Sequence, residues 1–247
     1  MIRTGIGGWV YPQWRGGIFY PARLPQKREL EYASRALASI EINSTYRSLQ
    51  KPESFRKWRE ATPDGFVFAI KGSSYITERK ILAQAGEAMV KFFAQGLEEL
   101  GDRLGPIVWQ LAHTKKFDAN DLAAFFALLP RELKGLPLRY AIEAGHDSFA
   151  CEEFLAVARE ARIAVVHLEQ DDRALISVKT ADFGYLRCKN LVSAQPTGYS
   201  PVEIERIAGI CRELGTSGDV FAFMINGAKE RAPAAALALA DKLKDSA

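Results

Sequence analysis

The chain has 247 residues, 48% of them hydrophobic and 26% charged, and a net charge of +3. That composition excludes a disordered chain, a low-complexity polymer and a coiled coil. Its mild basicity permits an anionic ligand but falls short of a dedicated nucleic-acid module.

In chain order, residues 3–7 read as a first strand. Residues 8–25 follow as an irregular segment with Trp9, Tyr11, Trp14, Phe19 and Tyr20 among glycines and prolines. A loop of that length is functional or disordered, and this one is too aromatic for disorder. A helix is expected over 26–37, a strand over 39–43 and a helix over 52–60; the Thr62-Pro-Asp-Gly65 turn then leads into a strand over 66–71. A loop over 72–80 precedes a helix through Met89, Phe92 and Phe93 toward Leu100, and the fourth strand is 107–110. Asp118 caps the next helix, with Asp121 in its first turn.

The fifth strand spans 140–143, followed by a helix capped by Ser148 that runs to about residue 161. The sixth and seventh strands are 164–167 and 183–187, joined by a crossover too short for a full helix and so irregular. Ser200-Pro-Val-Glu203 is a capping box with proline at the first helical position. Residues 220–223 form the eighth strand, and Pro233 opens the closing helix.

Nearly every strand is a continuous apolar run ending in one polar residue. Such runs suit strands buried on both faces, hence a parallel sheet. Polar ends converge when the sheet closes into a TIM-type (β/α)8 barrel, for which about 250 residues is typical and whose chemistry lies at the carboxyl ends of the strands. Residues 1–247 thus read as one domain. Period-two alternation places Glu41 and Asn43 with Ser39, Lys71 with Ala69 and Val67, Glu143 with Ala141, and Asn226 with Ala222. These smaller residues are assigned to the barrel interior, and Ile40, Ile42, Phe66, Phe68 and Ile142 to the helix side.

Lys71 is the sharpest candidate. A desolvated amine suits a base, a Schiff-base nucleophile or an anion ligand; the alternative is a lysine paired with Glu41 or Glu143. Those two carboxylates could share general acid–base work or form buried ion pairs. Arg187 offers a fork for a carboxylate or phosphate, or a strut for Glu143. His146 reads as a site residue or a loop hydrogen-bonder, and with His167 and Glu169 it leaves a single metal conceivable, although no metal ligand is assigned. Trp9, Tyr11, Tyr46 and Trp109 form either an aromatic wall or a barrel plug. The runs Arg56-Lys57-x-Arg59, Arg79-Lys80 and Lys115-Lys116 read as solvated faces, with phosphate steering as the other reading. Gly5-x-Gly7-Gly8 lacks the dinucleotide-binding spacing, so no cofactor is expected.

The longest helix-like apolar stretch, 232–243, contains Pro233 and Asp241 and is shorter than the ~20 residues of a membrane span. The start is too short and glycine-rich for a secretory signal. Cys151, Cys188 and Cys211 fit no paired-cysteine motif and read as reduced, buried residues of a cytoplasmic protein.

Several motifs together resemble the YecE-like family, family 72 of the domains of unknown function. They are Gly7-Gly-Trp9, Phe19-Tyr-Pro21, Ile40-Glu-Ile-Asn-Ser-Thr-Tyr46, Thr62-Pro-x-Gly-Phe-x-Phe68 with Lys71, Leu104-Gly-Pro-Ile-x-Trp-Gln110, Thr114-Lys-Lys-Phe117, Glu143 with His146 and Ser148, Tyr185-x-Arg187, and Asn226-Gly-Ala-Lys-Glu-Arg-Ala-Pro233. The resemblance covers almost the whole chain and implies a TIM-type barrel with a pocket at one end. Carried across, that pocket would hold Trp9, Glu41, Asn43, Tyr46, Lys71, Gln110, Glu143, His146, Arg187 and Asn226. The chain departs from the family pattern at Gly145, where arginine is usual, and at Arg47, Glu78 and Ile225.

The expectation is a metal-independent protein, either a hydrolase or lyase or simply a binder, for a small anionic, phosphorylated or sugar-like ligand. Lys71, Glu143, Glu41 and His146 would do the chemistry; Trp9, Asn43, Tyr46, Gln110, Arg187 and Asn226 would hold the ligand. The alternatives are a metal-dependent nucleic-acid phosphodiesterase and a non-catalytic binding protein.

Overall fold

The computed structural model describes residues 1–169 and 178–244. Strands β1 (Ile2–Gly7), β2 (Ser39–Ile42), β3 (Val67–Lys71), β4 (Leu104–Gln110) and β5 (Tyr140–Glu143) pair in parallel, each with the next. Strand β6 comes in two pieces, Ala164–Val165 paired to β5 and His167–Glu169 paired to β7 (Gly184–Cys188). Strand β8 (Val220–Met224) pairs with both β7 and β1, so the sheet closes on itself through the broken sixth strand. The result is the expected α/β barrel. Among the described residues, seven helices of eight or more residues pack outside: α1 (Glu29–Ala36), α2 (Pro52–Glu60), α3 (Gly86–Phe93), α4 (Ala119–Ala127), α5 (Glu152–Glu160), α6 (Pro201–Leu214) and α7 (Ala232–Lys244).

Two apolar layers result. Val67, Ala69, Val108, Ala141, Val166, Leu168, Tyr185, Phe221 and Phe223 fill the interior, while Ile40, Ile42, Phe68, Ile142, Leu186, Ala222 and Met224 face the helices. The expected faces hold for β2, β3 and β5. They are inverted for β8: Phe221, Phe223 and Ile225 point inward, and Ala222 lies outside. The reason lies on β1, whose inward positions include Gly5 and Gly7. A Cβ at Gly5 would sit 3.2 Å from the Phe223 ring, and one at Gly7 would sit 3.1 Å from Ile225. Glycine on one strand makes room for bulk on the next.

Other local expectations shift. Ser148 does not cap the fifth helix. It lies in the 3₁₀ turn Asp147–Phe149, and α5 starts after Cys151. The segment beyond Lys71 contains a helical turn, Ser74–Thr77, capped by Ser73. The helix expected to reach Leu100 ends at Phe93 and resumes as 3₁₀ turns over Leu97–Arg103. A short antiparallel pair, Glu132–Leu133 with Leu136–Pro137, precedes β5. Asp118 and Ser200 cap α4 and α6 as expected, Ser200 in a complete capping box. Most of the irregular crossover between β6 and β7 lies outside the described residues. Cys188 and Cys211 are buried free thiols, whereas Cys151 is half-exposed. No described helix is long and apolar enough to cross a membrane.

Candidate functional site

Four strands bring charges to one end of the barrel. Glu41 is the last inward position of β2, Lys71 of β3, Glu143 of β5 and Arg187 of β7. Arg187 is central. Its Nη2 donates to Glu41 Oε1 at 2.9 Å, and its Nη1 donates to Glu143 Oε2. Glu143 Oε1 also accepts from Lys189 Nζ at 2.7 Å and from Gln110 Nε2 at 2.9 Å. The Tyr185 hydroxyl donates to Glu41 Oε2 at 2.8 Å. Both carboxylates are buried, as an apolar barrel tolerates only when charges are paired and hydrogen-bonded.

This network sets the protonation states. Burial by itself would raise the Glu143 carboxyl, but the Arg187 and Lys189 cations outweigh it and hold it down to about 2. Burial likewise opposes the charge on Arg187, and the two carboxylates overcome it, raising the guanidinium above its ordinary value. Burial, then the neighbouring Glu41 carboxylate, pushes the Tyr185 phenol well up. Glu143 is therefore a fixed anion rather than the protonated acid that proton donation at neutral pH would require. The Arg187 fork, expected to orient a ligand, is already occupied by Glu41 and Glu143.

Lys71 differs from its neighbours. Its ammonium lies 4.0 Å from the centre of the Tyr46 ring and makes no ion pair among the described residues. Burial, with Arg187 adding repulsion, lowers it to about 8 against the pull of Glu41 and Glu143. Two cations that the sequence did not mark as site residues complete the group, although Lys229 stands inside the 226–233 motif. Lys189 stands two residues beyond Arg187, so strand alternation could have found it. Lys229 lies in the turn after β8, where no periodicity marks it. Its Nζ donates to Ile225 O at 2.9 Å and Gly7 O at 3.2 Å and lies 4.5 Å from the Tyr11 ring centre. Burial lowers both Lys189 and Lys229, the latter to about 8.

The remaining candidates divide. Tyr46 faces Lys71, and its hydroxyl donates to Glu78 Oε1 at 2.8 Å. Arg47 approaches the same Glu78 oxygen at 3.7 Å and lies 4.7 Å from the Tyr46 ring centre. Two departures from the family pattern thus pair with each other beside the site. Asn43 Nδ2 lies 3.5 Å from Glu41 O, at the mouth. Trp9 turns away and packs on Trp58 and Phe68 on the helix side, with ring centroids 5.3 and 6.3 Å apart. Trp109 is buried among Phe92 and Phe125, so neither tryptophan joins an aromatic wall. His146 Nδ1 accepts from Ser148 N at 3.1 Å, and none of its hydrogen bonds reaches the charged group. Asn226 is exposed beyond the end of β8, as the inverted phase of that strand requires. Among the described residues no three His, Cys, Asp or Glu side chains gather as a metal site. Of the basic runs, Arg56 and Arg59 pair with Glu99 and Asp102, and Lys115 pairs with Asp121.

Fold and site together define an α/β-barrel protein whose strand ends converge on buried, paired charges. The chain belongs to the family described as "Protein of unknown function DUF72", whose model matches residues 3–247. It is 31% identical over 153 residues to the UPF0759 protein YecE of Escherichia coli, a match covering 60% of this chain and 50% of that protein. The matched region is thus half the length of that curated relative. A DUF72 family protein from Thermotoga maritima superposes with a TM-score of 0.81 at 23% identity, covering 99% of both chains. One from Enterococcus faecalis reaches 0.77 at 16% identity, covering 99% of this chain and 96% of that one. D-psicose 3-epimerase from Clostridium cellulolyticum shares the fold at 0.57 with 13% identity, covering 99% and 98%.

Proposed function

We propose that the carboxyl end of the barrel binds a small anionic ligand, phosphorylated or sugar-acid-like, in a cytoplasmic protein built as one barrel domain. The observation that carries this reading is the charge balance of the mouth. Lys71, Arg187, Lys189 and Lys229 face Glu41 and Glu143, and four cations against two carboxylates leave two positive charges in excess. Arg187 is committed to the two carboxylates, so the ligand contacts fall to the lysines, foremost Lys71. Partial burial strengthens the attraction relative to open water. Gln110 and Tyr46 line the same end and supply neutral polar contacts. Glu41, Glu143 and Arg187 act as a rigid frame that orients the lysines.

Calorimetric titration with inorganic phosphate, a phosphosugar and the matching neutral sugar tests it. Both anions are expected to bind with an affinity that falls as salt rises, the neutral sugar at least tenfold more weakly, and Lys71→Ala to lose at least tenfold, or about 1.4 kcal/mol. Equal binding of charged and neutral sugars, or anion binding indifferent to Lys71→Ala, overturns it.

A further inference from the structure

We propose that Lys71 is an imine-forming nucleophile, so that the ligands of this site include aldehydes or ketones that also carry an anionic group. This rests on the anion-binding reading and names the substrate class within it. The argument begins with how the three lysines are held. Lys189 is committed to Glu143 at 2.7 Å, and Lys229 to two backbone carbonyls at 2.9 and 3.2 Å. Both are anchored donors whose lone pairs are not free to attack. The Lys71 ammonium lies over the face of Tyr46, and no carboxylate pairs with it among the described residues. It stands at the end of a buried strand yet remains partly accessible, so a ligand can reach it.

The Tyr46 face offers the amine no carboxylate, so its deprotonation leaves no buried anion without its partner. The surroundings favour that loss, since burial and Arg187 bring the Lys71 amine to about 8, which leaves an appreciable neutral fraction near neutral pH. Lys189 and Lys229 supply the positive charge for the anionic group of the ligand.

The step balances without a further reagent. The neutral amine of Lys71 adds to the carbonyl carbon, and the carbonyl π pair becomes an alkoxide. A proton moves from nitrogen to that oxygen to give a carbinolamine. Protonated again by solvent, the oxygen departs as water while the nitrogen lone pair closes the C=N bond, and the iminium N–H returns that proton to solvent. One water is released and nothing is oxidised or reduced.

The test uses glyoxylate as probe, with cyanoborohydride to reduce any imine to a stable carboxymethyl-lysine, and peptide mass spectrometry to locate it. Lys71 is expected to be labelled at least tenfold faster than any other lysine, with a rate rising through pH 8 and suppressed by inorganic phosphate. Lys71→Arg cannot form the imine and is expected to lose the adduct. If phosphate stabilises the wild-type protein while labelling spreads evenly over its lysines, the imine proposal falls and the anion site stands. If phosphate neither stabilises the protein nor protects Lys71, the anion reading fails and the proposal fails with it. The pH profile and phosphate protection on wild-type protein need no variant, so a misfolded Lys71→Arg leaves the decision intact.

Discussion

Arg187 and Glu41 meet across the barrel although β8 and β1 lie between their strands, with Nη2 donating to Oε1 at 2.9 Å and both side chains almost wholly inaccessible (1% and 0%). A strut of this kind holds opposite walls of the mouth at a set distance. The guanidinium is the best anion receptor by chemistry, yet it is buried and already paired with two carboxylates.

Glu143→Gln leaves Arg187 and Lys189 facing a neutral amide. Breaking one side of a buried pair costs about 3–5 kcal/mol, so a loss in Tm on the order of 10 °C is expected at neutral pH by calorimetry. The carboxyl is lower in the folded chain, about 2, than its ordinary 4.5. Its contribution is therefore complete above pH 4.5 and disappears as pH falls toward 2. The gap between wild type and variant is expected to close over that interval, and a gap independent of pH contradicts the assignment.

Lys71→Met has the opposite sign. A lysine lowered from 10.5 to about 8 binds its proton more weakly in the folded state, so it destabilises the fold below pH 8, and the penalty fades as pH rises toward 10.5. The variant is expected to melt above wild type at pH 7 and level with it near pH 10.5. Chemical denaturation at the two pH values measures this.

His167 is buried on β6, and neither ring nitrogen has a hydrogen-bond partner among the described residues. Burial, with Arg206 nearby, lowers it from 6.5 to about 4. The unfolded chain takes up the proton first, so wild type loses stability as pH falls from 6.5 to 4. His167→Leu is expected to flatten that part of the acid limb without loss at neutral pH; an unchanged slope contradicts it.

Gly72→Ala tests how closely the chain passes the helix layer after Lys71. The new Cβ would stand 2.1 Å from the Trp109 ring, and Trp109 is enclosed by Phe92 and Phe125. A loss of about 1–3 kcal/mol is expected in urea unfolding, together with weaker anion binding as Lys71 shifts.

The barrel was legible in the sequence because each apolar run ended in one polar residue, and alternation from Ser39, Val67 and Ala141 put Glu41, Lys71 and Glu143 on the inner face. The same alternation, carried one step past Arg187, reaches Lys189. It misplaced Asn226 because small residues were taken to mark the interior, whereas on β8 that space is filled by Phe221 and Phe223 opposite glycines of β1. Lys229 was hidden for a different reason. It stood inside the 226–233 motif, but its amine is held by Gly7 O, 222 positions away, as well as by Ile225 O, and strand alternation records neither. The roles of Trp9 and Trp109 turned on side-chain direction near strand ends, where periodicity gives out.

The Trp14 indole N–H donates to Lys229 O at 2.7 Å, joining segments 215 positions apart, and β1 pairs with β8 along its length. On the ribosome, a chain translated only through β7 already contains Glu41, Lys71, Glu143 and Arg187, yet β1 and β7 have no strand between them. Both present bare edges, which invite pairing with other chains. Such distant contacts also slow closure. The charged mouth is thus closed only once β8 has paired with both β7 and β1, and a copy caught before that step carries two edges able to pair with another chain.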